Sequence, residues 1–376
     1  MGAGGTAARD GTSGPGGALR WVQQVRERSR AVLPASVHRY VEEGAGEELT
    51  AAEAAGAWRR HRLWPHVLRD VSTVDTTTRL LGRTYSAPLG IAPMTLQRAA
   101  HPDGEVAMAR AAHGAGVTLV LSSNSGSSFA DVGATGASWW LQLYLGPDRV
   151  EAHELVARAV GEGASAVVLT VDTPVVATRH RAPGAAQVWD EVDPAWVGTN
   201  LSFPGVGPSA RPKAMDLGVA DVAALAERAG VPVVVKGVLR EDDARAAVDA
   251  GASAVWVSNH GGRQLDRAVA TAEALPWVSR AVGDDAEVYV DGGVRSGLDV
   301  LVALALGADA VFWGRPAFHA LAAGGPEEVE RGLALLGEEL VQALRLAGCP
   351  SPHHAPGLLQ AGDEGLLPPD LRERRR

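Results

Sequence analysis

The chain has 376 residues, 46% hydrophobic and 21% charged, with a net charge of −9, values typical of a soluble globular protein large enough for one big barrel or two ordinary domains. The negative balance argues against non-specific nucleic-acid binding, and the single cysteine, Cys349, excludes an intrachain disulfide or a cysteine-based metal cluster, so no metal is expected. No run of 18 apolar residues predicts a membrane span and no apolar core follows Met1 as in a secretory signal, so a cytoplasmic location is expected.

Residues 1–17 are rich in glycine and almost free of large apolar side chains, which predicts a disordered leader. Its start, Met1-Gly2-Ala3-Gly4-Gly5-Thr6, has the form of a myristoylation pattern, but no basic patch follows, and a glycine-rich leader matches by chance. Residues 18–85 hold two helix-like stretches, 19–32 and 50–58. Eight short β-rich runs follow, at 89–92, 117–122, 139–144, 166–171, 231–236, 254–258, 287–291 and 310–314. Most are apolar throughout, as parallel strands covered on both faces are. Helix-like segments separate them, clearest at 104–114, 150–162, 219–229, 241–250 and 298–306, and glycines such as Gly251 and Gly307 close several.

This α/β alternation predicts a (β/α)8 TIM barrel at about 86–325, with a doubly wound open sheet as the alternative. Polar residues at the ends of the runs favour the barrel, because barrels place their sites at strand C-termini. These residues are Thr95, Ser122, Gln142, Tyr144, Thr170, Asp172, Lys236, His260, Asp291 and Arg315. The long connection 173–215 carries Trp189, Trp196 and Phe203, which look exposed, and is expected to be a lid. A single domain at 18–360 and a tail at 361–376 complete the reading, with the basic end 372–376 as a solvated terminus.

Chemistry concentrates at Ser258-Asn259-His260-Gly261-Gly262-Arg263-Gln264-Leu265-Asp266, just after the sixth run. An imidazole near a guanidinium suits a base beside a carboxylate clamp, and the glycines permit a tight turn and a close ligand. Asp291-Gly292-Gly293-Val294-Arg295 and Gly314-Arg315-Pro316 follow the seventh and eighth runs, where barrels commonly bind phosphate. Of 35 cationic Lys and Arg residues only Lys213 and Lys236 are lysine. Lys236, ending Val231-Pro232-Val233-Val234-Val235, suits a tight site beside developing negative charge, or else a buried structural ion pair.

Taken with Tyr40, Ile91-Ala92-Pro93, His101-Pro102-Asp103-Gly104-Glu105, Leu121-Ser122-Ser123, Gln142-Leu143-Tyr144, Thr170-Val171-Asp172-Thr173-Pro174 and Val235-Lys236-Gly237-Val238, these motifs resemble the FMN-dependent 2-hydroxy acid oxidases and dehydrogenases, from about Leu33 to Cys349. This family includes glycolate oxidase and flavin-linked lactate dehydrogenase. The resemblance implies FMN as cofactor and oxidation of an (S)-2-hydroxy acid, such as lactate, glycolate or mandelate, to the 2-oxo acid. Oxygen or another acceptor would then reoxidise the flavin. It implies His260 as base, Asp172 as its partner, and Tyr144 against the substrate hydroxyl. Tyr40, Arg179 and Arg263 would hold the substrate carboxylate. Lys236 would stabilise reduced flavin, with Pro93, Met94, Thr95, Ser122, Gln142, Thr170, Ser258, Asp291, Gly292, Gly293, Arg295, Gly314 and Arg315 also around the cofactor. A homotetramer is implied as well.

Three positions depart from the glycolate oxidase pattern. Thr95 in Ala92-Pro93-Met94-Thr95 puts a methyl and a hydroxyl where Ala or Gly faces the flavin, which leaves oxidase against dehydrogenase open. Asn124 replaces a pocket tryptophan, so a larger or more polar substrate than glycolate is expected. Arg179-His180-Arg181 lacks the usual arginine doublet, and Arg181 is an alternative to Arg179. Competing readings are an FMN-dependent isomerase on the same barrel, a non-catalytic flavin-binding barrel, and oxidation of a larger biosynthetic intermediate. The pair His260/Arg263 argues against the isomerase, which does not need it.

Overall fold

In the computed structural model, which describes residues 17–180, 187–201 and 212–359, the eight apolar runs form eight parallel strands. They are β1 (Leu89–Ile91), β2 (Thr118–Ser122), β3 (Trp139–Leu143), β4 (Val167–Thr170), β5 (Val233–Val238), β6 (Ala254–Val257), β7 (Glu287–Val290) and β8 (Ala310–Trp313). Each pairs with the next, and β8 returns to β1 with Val311 opposite Leu89. The sheet is therefore a closed barrel and not the open alternative.

Alternation within each apolar run explains how both faces become buried. Val120, Trp140, Val168, Val234, Trp256, Tyr289 and Phe312 fill the interior, where the Trp256 and Phe312 rings lie 4.1 Å apart. Their neighbours, such as Leu119, Leu141, Val167, Val233, Val255 and Val311, join the larger core that includes the surrounding helices. Gly90 on β1 is required by this filling, because a Cβ there would lie 2.4 Å from the Phe312 ring. A short antiparallel hairpin, Thr78–Leu80 with Arg83–Tyr85, adds Leu80 and Tyr85 to the interior cluster.

Helices occupy Gly104–Gly114, Arg149–Gly161, Val219–Arg228, Glu241–Asp249 and Gly297–Ala305, close to the expected bounds. Two further long helices of the barrel were not foreseen: Thr271–Val282, which contains Pro276, and Arg315–Leu346, broken at Gly324 and Gly325. The N-terminal extension forms Gly17–Val32, Ala35–Glu42 and Leu49–Trp58. Trp21 on the first stacks on Trp313 at 5.9 Å, tying the extension to the barrel beside β8.

Of the expected leader only Gly17 is described, and it opens the first helix. Residues 1–16, the tail at 361–376, Arg181 and Phe203 lie outside the described residues. Trp189 and Trp196 are half-buried, packed against an apolar cluster with Leu96, Val188, Val197 and Phe318, which corrects the expectation that they are exposed. Among the described residues no helix is long and apolar enough to cross a membrane.

Candidate active site

A cavity of about 590 Å³ lies at the C-terminal ends of the strands, floored by Phe312 of the interior cluster. Every residue expected at the site lines it except Asp172 and Ser258.

The turn after β6 is unusual in its backbone. His260, Gly261 and Gly262 all have positive φ, at 57°, 64° and 76°. A left-handed histidine is uncommon, and such conformations persist only where the surroundings impose them. Here Asn259 accepts from the Gly262 N–H through its backbone carbonyl, and the Ser258 hydroxyl accepts from the His260 N–H. A Cβ on Gly262 would lie 2.5 Å from the backbone nitrogen of Ala51, so the N-terminal extension closes over this turn.

The imidazole Nδ1 of His260 sits 3.0 Å from Asp172 Oδ1, which also accepts from the Thr173 hydroxyl. Among the described residues the other ring nitrogen has no hydrogen-bond partner, and the ring lines the cavity. Burial pushes the Asp172 carboxyl up, but the His260 ring, Lys236 and Thr173 together hold it below its ordinary value. An ionised carboxylate behind an imidazole fixes the ring and leaves the other nitrogen free to accept a proton, so the pair can act as a base. Gly237 makes room for Asp172. It lies at a bulge in β5 with φ 106°, and a Cβ there would be 2.6 Å from the Asp172 Cβ.

Arg263 donates to the backbone carbonyls of Tyr40, Val41 and Glu43, and its guanidinium lies 4.7 Å from the Tyr40 ring centroid. The helix Ala35–Glu42 thus delivers Tyr40 to the cavity and fixes Arg263 at the same time. Arg179 reaches the same wall. It is 3.5 Å from Glu43 Oε2 and donates to the Ala177 and Arg263 carbonyls. Trp189 packs edge-on against Tyr40 at 5.2 Å. Tyr144 faces this group from the end of β3. Burial, with the nearby Asp172 charge, pushes its phenol well up, so it stays a neutral hydrogen-bond donor.

The opposite part of the cavity is a connected polar system. Lys236 is 2.9 Å from Asp291 Oδ2 and donates to the Ser258 hydroxyl at 2.7 Å. Ser258 donates in turn to Asp291 Oδ1 at 2.8 Å. Lys236 is therefore in the buried ion pair that one sequence reading expected, and it also lines the cavity. Ser258 is fully buried behind it and supports Lys236, Asp291 and the His260 turn. Across the barrel, Ser122 donates to Gln142, and the Gln142 amide donates to Thr170 at 2.9 Å. Thr95 donates to the Asn124 carbonyl at 2.8 Å.

Arg295 and Arg315 bracket the far end with Gly292, Gly293 and Gly314. Arg295 donates to the Val294 carbonyl, and Arg315 to those of Val41 and Gly261. Among the described residues neither has a carboxylate within ion-pair distance. Burial lowers both guanidinium groups, Arg315 to about 10 with help from the Arg263 charge. Crowded cations held by carbonyls alone form a receptor for a multiply charged anion. The donor set therefore fits FMN: these arginines and glycines would hold its phosphate, while the Ser122–Gln142–Thr170 ladder and Lys236 would hold its polar ring and chain.

Sequence reasoning missed several lining residues. Lys213, Gln187 and Trp189 belong to the cavity without belonging to any motif, and Thr173 and Gln264 lie within motifs but were given no role. Only the scarcity of lysine pointed toward Lys213.

Residues 29–360 match the family described as FMN-dependent dehydrogenase. The chain is 41% identical to 4-hydroxymandelate oxidase of Amycolatopsis orientalis, covering 86% of this chain and 93% of that protein. It is 39% identical to 2-hydroxyacid oxidase 1 of Homo sapiens, covering 87% and 92%. A solved structure of mandelate oxidase superimposes with a TM-score of 0.81 at 40% identity, covering 89% of this chain and 96% of that one. A mutant mandelate oxidase solved with a C4a-OH-FMN adduct also superimposes with a TM-score of 0.81, at 40% identity over 88% of this chain and 97% of that one.

Proposed function

The chain belongs to the FMN-dependent dehydrogenase family, and from that premise we propose how its cavity oxidises an (S)-2-hydroxy acid to the 2-oxo acid. The observation that carries this reading is one cavity lined by His260, with Asp172 behind it, by two arginines and by a cationic phosphate end. When bound, FMN supplies the acceptor for the two electrons that leave the substrate.

The protein's own residues do the rest. Arg263 and Arg179 hold the substrate carboxylate, with Tyr40 alongside, which orients the α-carbon. Tyr144 donates to the hydroxyl and then to the carbonyl it becomes. The free nitrogen of His260 takes the substrate proton, and Asp172 stabilises the imidazolium that forms. Lys236, paired with Asp291, offers positive charge where negative charge accumulates. The same base serves whether the α-hydrogen departs as hydride or as proton. Asn124 and the polar lining favour a substrate larger or more polar than glycolate. An isomerase is disfavoured, because it has no use for the His260/Arg263 pair.

Residues 18–360 act as one FMN-binding domain, with the connection 173–215 as a lid whose described part brings Gln187 and Trp189 to the cavity. Reoxidation by oxygen, a homotetrameric assembly and a cytoplasmic location belong to the same proposal, and rest on the likeness to 2-hydroxy acid oxidases.

The test is an anaerobic visible-absorbance titration of the purified yellow protein with (S)-lactate, glycolate, (S)-mandelate and larger 2-hydroxy acids. Bleaching by at least one is expected, with colour returning on admission of air. A flavin that no 2-hydroxy acid bleaches refutes the oxidation, and one that stays bleached in air refutes oxygen as acceptor.

A further inference from the structure

Lys213 stands apart from the other cations of the cavity. Arg263 and Arg179 answer to carbonyls and Glu43, Lys236 to Asp291, and Arg295 and Arg315 to the phosphate end. Lys213 lines the cavity on the segment just before Val219–Arg228, held by the Ala214 N–H donating to the Leu145 carbonyl at 2.9 Å. Its ammonium lies over the Tyr144 ring, 4.2 Å from the centroid. Among the described residues no carboxylate comes within ion-pair distance of it.

A half-buried ammonium that faces only an aromatic ring is under-compensated, because a ring face is a weaker partner than a carboxylate. Burial lowers the Lys213 amine to about 8, and the Asp172 charge only partly offsets this. The amine is thus still mostly charged at neutral pH. The titratable groups facing it are Tyr144 at the end of β3 and Asp172 after β4, and Asp172 is already engaged by His260. Asp216, further along its own segment, is paired with Arg149. In a chain that otherwise uses arginine, a compact ammonium beside the reacting group is a choice of shape as well as charge. Asn124 and Gln264 add polar groups to the same cavity.

We propose that Lys213 determines specificity and that the preferred substrate is a 2-hydroxy acid whose side chain bears a second anionic group, an inference that rests on the oxidation proposed above. The first carboxylate binds at Arg263 and Arg179, and the second group supplies the counter-charge that Lys213 lacks.

The experiment compares (S)-malate and (S)-2-hydroxyglutarate with the uncharged-tail acids (S)-2-hydroxybutanoate and (S)-2-hydroxyvalerate. The wild type should favour the diacids in kcat/KM. In Lys213→Met the diacid-to-monoacid ratio should fall about tenfold to a hundredfold, the loss expected for one charge-assisted contact, while Lys213→Arg keeps most of it. In the wild type the ratio should also decline as pH rises through about 8, as the free enzyme's ammonium is lost. Binding provides a readout separate from turnover: the flavin absorbance shift on adding 2-oxoglutarate should need less ligand than with 2-oxovalerate, and Lys213→Met should abolish the difference. A ratio untouched by Lys213→Met, or equal binding of the two oxo acids by the wild type, overturns the proposal. Failure of every hydroxy acid to bleach the flavin, with the binding preference intact, would refute the oxidation and leave the Lys213 assignment standing.

Discussion

His260 shows how much a single position can be asked to do. It adopts a left-handed backbone, closes a turn against the N-terminal extension, and leaves one ring nitrogen open to the cavity while Asp172 holds the other. His260→Gln keeps a polar side chain of similar reach but removes the base. Flavin reduction should slow by roughly 10²- to 10⁴-fold while FMN stays bound, read by anaerobic stopped-flow absorbance. A variant reduced at the wild-type rate would move the base elsewhere. The motif around this residue was legible because strand end, glycines, histidine and arginine fall together in the chain. Lys213 was not legible in the same way. Its place beside Tyr144 arises from folding of a connection with no pattern of its own, and only its rarity as a lysine marked it. Ser258 sits in the same motif as His260, and its side chain turns under the cavity to bind Lys236 and Asp291, a pairing the motif alone did not show.

The strands were readable as elements because each is a short apolar run with both faces buried, a pattern that loops and amphipathic helices lack. Thr271–Val282 escaped notice because Pro276 lies within it, and an interior proline ordinarily argues against a helix. Ala35–Glu42 is too short to show a period, although it carries Tyr40 and the carbonyls that seat Arg263. The extension of β5 past Lys236 was hidden by Gly237, which reads as a strand end and is in fact a bulge. Packing between the His260 turn and the helix Leu49–Trp58 is tight enough to test. Gly262→Ala forces a left-handed alanine and places its Cβ against the Ala51 backbone. Thermal melting should show a loss of about 2 kcal/mol or more and weaker FMN retention. An unchanged melting temperature would mean that the extension can move away from the turn.

Across the whole molecule, the extension and the last helix are joined by a half-buried charge. Glu42 bonds His319 at 2.7 Å and pairs with Arg26, while Ser29 holds the other His319 nitrogen. Burial pushes the Glu42 carboxyl up, but the His319 hydrogen bond and charge, with Arg26, more than offset this and bring it from 4.5 to about 2. A carboxylate lowered on folding contributes stability that is full above about 4.5 and is lost as pH falls toward 2. The contribution is at most about 3 kcal/mol. Glu42→Gln should therefore lower stability at pH 7 and differ progressively less from the wild type in acid, as followed by circular dichroism in denaturant. A constant gap across that range would show that the charge plays no part.

Closure of the barrel also has a consequence in time. The pairing of Val311 with Leu89 joins strands on the order of 200 residues apart, and Tyr40 meets Arg263 across a similar stretch. At about 5–20 residues per second, a ribosome needs about 10–40 s to span that gap. Throughout that interval the early strands have an open edge, and the phosphate end gains Arg295 only near its close and Arg315 after it. The phosphate end is therefore completed only late in synthesis, and flavin uptake on refolding, followed by the change in flavin fluorescence, is expected to be no faster than the last strand finding the first.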